Sequence, residues 1–227
     1  MASGMVFSVD MGQRYGEEGA QGRVLRPYLR GMIRPIVAYG DPVLKKEAEE
    51  IPRDFDNLSS LVEDMWATMY EADGVGLAAP QIGLPIRLFV IDAAPFAEDD
   101  ELESEEILEL KSFKKVFINP KMVSEEGEKW TFNEGCLSIP DIREDVDRHE
   151  NITIEFFDEN FKKQILTLNG LPARVVQHEY DHIEGILFTD HLSSLKRRLI
   201  KNKLTAISKG AISVDYPMKF PNKLKRK

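Results

Sequence analysis

Between residues 58 and 72 the apolar side chains Leu58, Leu61, Val62, Met65 and Met69 recur every three or four positions, the spacing of one helix face, with Asp56 or Asn57 placed to cap it. A second helix is marked at both ends. Gly170-Leu171 leads into Pro172, which suits a first helical position, and Gly185 stands where a left-handed C-terminal residue belongs. A third covers Ser194–Ser208, opened by serine and followed by Gly210. Short apolar or β-branched runs at 33–39, 86–92, 116–119, 129–132, 151–157 and 164–168 predict strands, the first followed by a Gly40-Asp41-Pro42 turn. Strands gathered about one central helix, without regular strand–helix alternation, predict an α+β fold with mixed or antiparallel sheets.

Two stretches lack this periodicity. Residues 1–31 are rich in Gly, Arg and Glu and read as an N-terminal extension, leaving 32–210 as one domain and 211–227 as a basic tail. Charges through the extension exclude a secretory signal. Residues 98–109 hold eight acids in twelve positions and read as a solvated excursion from the fold. No apolar run approaches the roughly 20 residues of a membrane span. A single cysteine rules out an internal disulfide and suits a cytoplasmic protein. The 42% hydrophobic and 30% charged composition is that of an ordinary globular chain. Charge itself is divided: from residue 196 to the end, 11 Lys or Arg face a single acid, whereas the whole chain has a net charge of −9. A basic end on an acidic body suits either an anionic partner such as RNA or simply a solvated helix.

The chemistry concentrates in His178-Glu179-Tyr180-Asp181-His182. Histidines four apart on a helix share a face, about 5–6 Å apart at Cβ, near enough for both rings to reach one ion at about 2.0–2.1 Å. Glu179 then lies beside the ion without ligating it, placed to take a proton from water and return it to a leaving group. The third ligand decides the class. The position where an extended protease pattern has a third histidine is Phe188, and no glutamate follows Glu184, so the common metallopeptidase solutions fail. His191 follows the helix-ending glycine and His149 stands in a charged run, so both read as surface residues. Cys136, in Glu134-Gly135-Cys136-Leu137-Ser138-Ile139-Pro140, is the stronger candidate. A thiolate with two imidazoles suits Fe(II), Zn(II), Ni(II) or Co(II) rather than Mg or Ca.

Gly74-Val75-Gly76-Leu77-Ala78-Ala79-Pro80-Gln81 superficially matches a dinucleotide fingerprint, but it follows a helix, and Pro80 interrupts the helix that should begin there. Its small residues instead let another chain or strand lie close, and the Gln81 amide can donate to a developing oxyanion.

Segments 74–81, 134–138 and 177–182, in that order and spacing, resemble the three signature motifs of the peptide deformylase family, and the resemblance covers about residues 32–209. It implies an α+β fold with the metal helix at its centre and an enzyme that removes the formyl group from the N-terminal formylmethionine of nascent polypeptides, releasing formate. It further implies one divalent ion, natively Fe(II), held by Cys136, His178 and His182, with Glu179 moving protons and Gln81 and the Leu137 backbone N–H stabilising the oxyanion. Val75 and Gly76 would align the peptide as an added strand. Val75, Phe132, Leu171 and Val175 would line the methionine pocket, and Arg143 would contact the peptide further along. The basic helix resembles the segment by which some members reach the ribosome. Two other readings of the residues stay in play: a metallopeptidase, and a noncatalytic RNA- or ribosome-binding module with a structural metal, for which Glu179 would be idle.

Overall fold

The computed structural model describes residues 31–98 and 103–221. The expected extension at 1–31 lies outside them apart from Gly31. In chain order the elements are β1 (Ile36–Val37), α1 (Leu58–Glu71), β2 (Gly76–Ala78), β3 (Leu88–Asp92), α2 (Ser104–Ser112), β4 (Lys114–Cys136), β5 (Ile139–Phe157), β6 (Lys163–Leu168), α3 (Gly170–Ile183), α4 (Ser194–Ser208) and β7 (Met218–Lys219). Strands β2-β3-β4-β5-β6 form an antiparallel sheet in that order, and β1 pairs in parallel with β7. The α+β class expected from the sequence is the class observed. Among the described residues no helix is long and apolar enough to cross a membrane.

The sheet is packed on both faces where it matters. Strand β3 alternates: Phe89 and Ile91 enter a core shared with Val75, Phe117, Val175 and Val176, on the α3 side. Leu88 and Val90 enter a second core with Leu61, Met65 and Met69 of α1. Two-residue periodicity sends neighbouring side chains to opposite faces, so an unbroken apolar run is what a strand sandwiched between two helices requires. A third core gathers Ile139, Ile142 and Val146 of β5 against Leu187, Phe188 and the Ile200, Leu204 and Ile207 face of α4.

The strands expected at 116–119 and 129–132 are parts of one 23-residue strand, and β5 begins twelve residues before the expected 151. Together β4 and β5 make a long hairpin, its register broken by irregularities and closed by a tight turn in which Cys136 opposes Ile139. The early half of β5 is rich in Asp, Glu and Arg, so its charges hid the alternation of Ile142, Val146, Arg148, Ile152 and Ile154, all of which point inward. Where described, the acidic stretch forms α2, whose acids face solvent while Leu110 is buried. The segment read as a tail from 211 packs back on the body as far as residue 221: β7 pairs with β1, and Ile212, Met218 and Phe220 touch the third core.

Helix α3 begins at Gly170, two residues before the expected Pro172. Its C-terminal end is as expected, with Gly185 at φ +72°. A Cβ there would also sit 2.9 Å from the Lys45 carbonyl carbon and 3.0 Å from its oxygen. Backbone cannot yield as a flexible side chain does. Gly185→Ala should therefore destabilise the protein by roughly 1–3 kcal/mol, read as a lowered midpoint in denaturant titration, and an unchanged midpoint would refute this account of the helix end.

Candidate metal centre and active site

Helix α3 runs beneath the sheet with Val175, Val176, His178, Glu179 and His182 all buried. One turn apart, the His178 and His182 rings lie with centroids 5.1 Å apart and planes at 79°. The hairpin turn of β4 and β5 brings the third group from 42 residues upstream of His178. Cys136 Sγ is 3.3 Å from His182 Nε2, and the candidate ligand atoms of Cys136, His178 and His182 all lie within 4.8 Å of one another. All three side chains are buried. His149 hydrogen-bonds the Gly127 carbonyl and His191 bonds Asp181, so neither joins the cluster.

What surrounds this trio suits a cation. Burial pushes the Cys136 thiol up to about 12, helped by the charge of Glu179, while the backbone N–H groups of Ser138 and Ile139 oppose the shift. A thiol so placed becomes a ligand only when a nearby positive ion repays the loss of its proton. Burial, then the neighbouring His178, hold His182 well below its ordinary range, in the neutral ligating form. Burial and the charge of Glu134 raise Glu179 well above the carboxylate norm, and its Oε2 is buried without a hydrogen-bond partner. A buried polar atom without a partner beside three convergent donors fits an ion and its water.

The trio is braced by Glu134, two residues before Cys136. Glu134 Oε2 meets His178 Nδ1 at 3.0 Å, which turns the ring so that Nε2 is left for an ion. Arg148 grips the same carboxylate with two bonds of 2.6 and 3.0 Å, and Arg174 adds a third at 3.2 Å. Burial by itself opposes the Glu134 charge, but Arg148 and the His178 hydrogen bond outweigh it and hold the carboxyl far below its usual range. Arg148 also reaches Asp181 at 2.7 Å. Sequence reasoning assigned none of these four a role. Arg148 stood in a run of charges read as surface, and only its strand parity with Val146, Ile152 and Ile154 marks it as inward-facing. Arg174, fully buried with its guanidinium 4.2 Å above the Trp130 ring, had no comparable signal.

The glycine-alanine segment forms the edge strand β2. Asp92 N donates to the Val75 carbonyl, so by antiparallel alternation Val75 and Leu77 bond toward β3 and the Gly76 N–H and C=O point to the open side. A Cβ on Gly76 would fall 2.4 Å from Glu179 Oε1, so only glycine lets the carboxyl lie against this strand. Gln81 Oε1 accepts from Ala78 N at 2.8 Å, which commits its amide nitrogen to the centre, 3.6 Å from Cys136 Sγ. Leu137 is buried in the hairpin turn next to the thiol. Val75 and Val175 belong to the first core, with Phe132 and Leu171 half-buried against it. Arg143 is folded back on Asn133, bonding its side chain at 2.8 Å and its carbonyl at 2.6 Å.

The polypeptide deformylase family matches residues 33–198. This chain belongs to that family. It is 63% identical over 191 residues to the peptide deformylase of Christiangramia forsetii, covering 84% of this chain and 97% of the relative. It is 60% identical over 189 residues to that of Flavobacterium psychrophilum, covering 83% and 97%. Among solved structures, the peptide deformylase of Thermus thermophilus aligns with a TM-score of 0.66 at 41% identity, covering 78% of this chain and 98% of that one. The Legionella pneumophila peptide deformylase aligns at 0.65 and 41%, covering 77% and 94%. Members of the family are metal-dependent hydrolases that remove the N-formyl group from nascent polypeptides, and in this chain Cys136, His178 and His182 form a group that could hold a metal ion.

Removing the Glu134 charge leaves Arg148 and Arg174 with one buried counter-charge fewer, and replaces the charged acceptor that orients His178 by a weaker, neutral amide. Glu134→Gln should cost about 3–5 kcal/mol of stability and weaken metal affinity roughly 10–100-fold. Calorimetry and competition with a chromophoric chelator measure the two, and wild-type values in both would remove Glu134 from this role.

Proposed function

We propose that this chain deformylates the N-terminal formylmethionine of nascent polypeptides with Cys136, His178 and His182 holding one divalent ion and Glu179 carrying the protons. The observation that supports this most is the convergence of a buried thiol, two imidazoles and an unpartnered carboxyl oxygen beside an open strand edge. In this reading the ion is Fe(II), for which Zn(II), Ni(II) or Co(II) can substitute, in keeping with a soft thiolate beside imidazoles. When bound, the ion supplies Lewis acidity toward the formyl oxygen and toward water.

Gly76 offers its free N–H and C=O to the extended substrate backbone, with Val75 beside it, so that the peptide adds to β2 as a strand. Val75, Phe132, Leu171 and Val175 receive the methionine side chain, and Arg143 meets residues further along. Gln81 Nε2 and the Leu137 backbone N–H donate to the formyl oxygen as it gains charge. Glu179 Oε2 takes a proton from the attacking water and returns it to the amine nitrogen as the C–N bond breaks, leaving formate and a free amino terminus. The site of action is the cytoplasm, where nascent chains emerge.

The reading extends to a ribosome contact through α4, where Arg197, Arg198, Lys201 and Lys203 face solvent. Deleting the helix is a poor test, because Ile200, Leu204 and Ile207 are buried. Reversing Arg198, Lys201 and Lys203 to Glu should instead reduce co-sedimentation with ribosomes at low salt while formate release from a short formyl-Met peptide stays normal. Undiminished co-sedimentation would sink the contact.

Two variants separate binding from turnover. Glu179→Gln should keep its ion and lose formate release by about 10²–10⁴-fold, whereas Cys136→Ser should lose metal on anaerobic elemental analysis. Full turnover in the first, or full metal content in the second, contradicts the assignment.

A further inference from the structure

The cleft of about 630 Å³ beside Cys136 and Leu137 has a wall that none of the three motifs contains: residues 213–216, in the segment that returns from α4. Within it the Tyr216 hydroxyl donates to the Leu137 carbonyl at 2.7 Å, across 79 residues of chain. We propose that Tyr216 is a positioning residue for the metal centre, holding the peptide unit that joins Leu137 to Ser138 and thereby the tight turn that carries the Cys136 thiol.

The geometry supports a directed role. Leu137 C=O and Ser138 N–H belong to one planar peptide, so a donor on the oxygen both fixes the plane and polarises the N–H. The turn pairs Cys136 with Ile139, so Leu137 and Ser138 are its two central residues. The next carbonyl is held as well, since Ser138 O accepts from Tyr39 N at 2.8 Å. The tyrosine is itself anchored. Ile36 N donates to Pro217 O and Ala38 N to Lys219 O, both at 2.9 Å, and β7 pairs with β1 immediately after it. The tight turn therefore carries its thiol on a frame supplied by the two ends of the described chain. A loosened turn would let the sulfur move relative to the His178 and His182 rings, so Tyr216 sets how well the thiol meets an ion held by them.

The inference rests on Cys136 ligating the ion, and the experiment separates the two. Cobalt(II) is loaded into wild-type protein, Tyr216→Phe and Tyr216→Leu, and the thiolate-to-cobalt charge-transfer band is recorded beside thermal midpoints and formyl-Met peptide kinetics. With its hydroxyl gone, Tyr216→Phe should shift the band from its wild-type position and lower kcat by about three- to tenfold, the worth of one hydrogen bond, with KM and the thermal midpoint near wild type. Tyr216→Leu should show the same band shift together with a lowered midpoint, because it also loses ring packing. A wild-type band in both variants, with only the Leu variant destabilised, would show a purely structural tyrosine and overturn the proposal. No thiolate band in the wild-type protein would overturn the cysteine ligation itself and the inference with it.

Discussion

A carboxylate with no access to water is stable only where partners replace its hydration, and Glu134 is such a group. Its partners come from the other strand of its hairpin and from the metal-site helix: Arg148 from β5, and Arg174 and His178 from α3. The same contacts that neutralise its charge lock the hairpin to the helix and orient one of the three candidate ligands. The turn bearing Cys136 and the helix bearing the histidines are thus held in a fixed relation before any ion arrives. Preorganisation of this kind is what a metal site with one open position needs, since nothing on the open side can hold it in shape.

That open side is the edge of the sheet. Among the described residues strand β2 pairs only with β3, and its outward backbone groups lie next to Glu179 because residue 76 has no side chain to keep the carboxyl away. Sheet edges are ordinarily a liability, guarded by charge or cover. Here the edge is three residues long and flanked by the buried Pro80 and Gln81, so it can accept an extended peptide without inviting indiscriminate pairing. Substrate alignment, proton transfer and the Gln81 share of oxyanion donation in the proposed mechanism therefore draw on one short segment and the helix beneath it, with the Leu137 N–H added from the hairpin turn.

Much of this was legible in the residues. The spacing of His178 and His182 on a helix, the failure of the protease patterns, and the choice of Cys136 as third ligand lead to the same three side chains that the fold brings within 4.8 Å. Helix periodicity found α1 and α4 nearly to the residue, because helix contacts repeat locally. Strands fared worse. Half of β5 was missed because its outward face is crowded with charge, and β7 is two residues long and exists only through its pairing with β1.

By itself, then, the sequence determined the candidate ligands and the family, since ligand type and helical spacing are local properties of the chain. Tertiary structure alone decided which charges are interior. Arg148, Arg174 and Asp181 look like any surface residues until strand parity and helix packing gather them into one network around Glu134. It also decided that the C-terminal return segment reaches the turn bearing Cys136 through Tyr216, a contact 79 residues apart that no local pattern encodes. Burial and long-range hydrogen bonding depend on where the whole chain goes, and a charged side chain carries no mark of the partner it will find there.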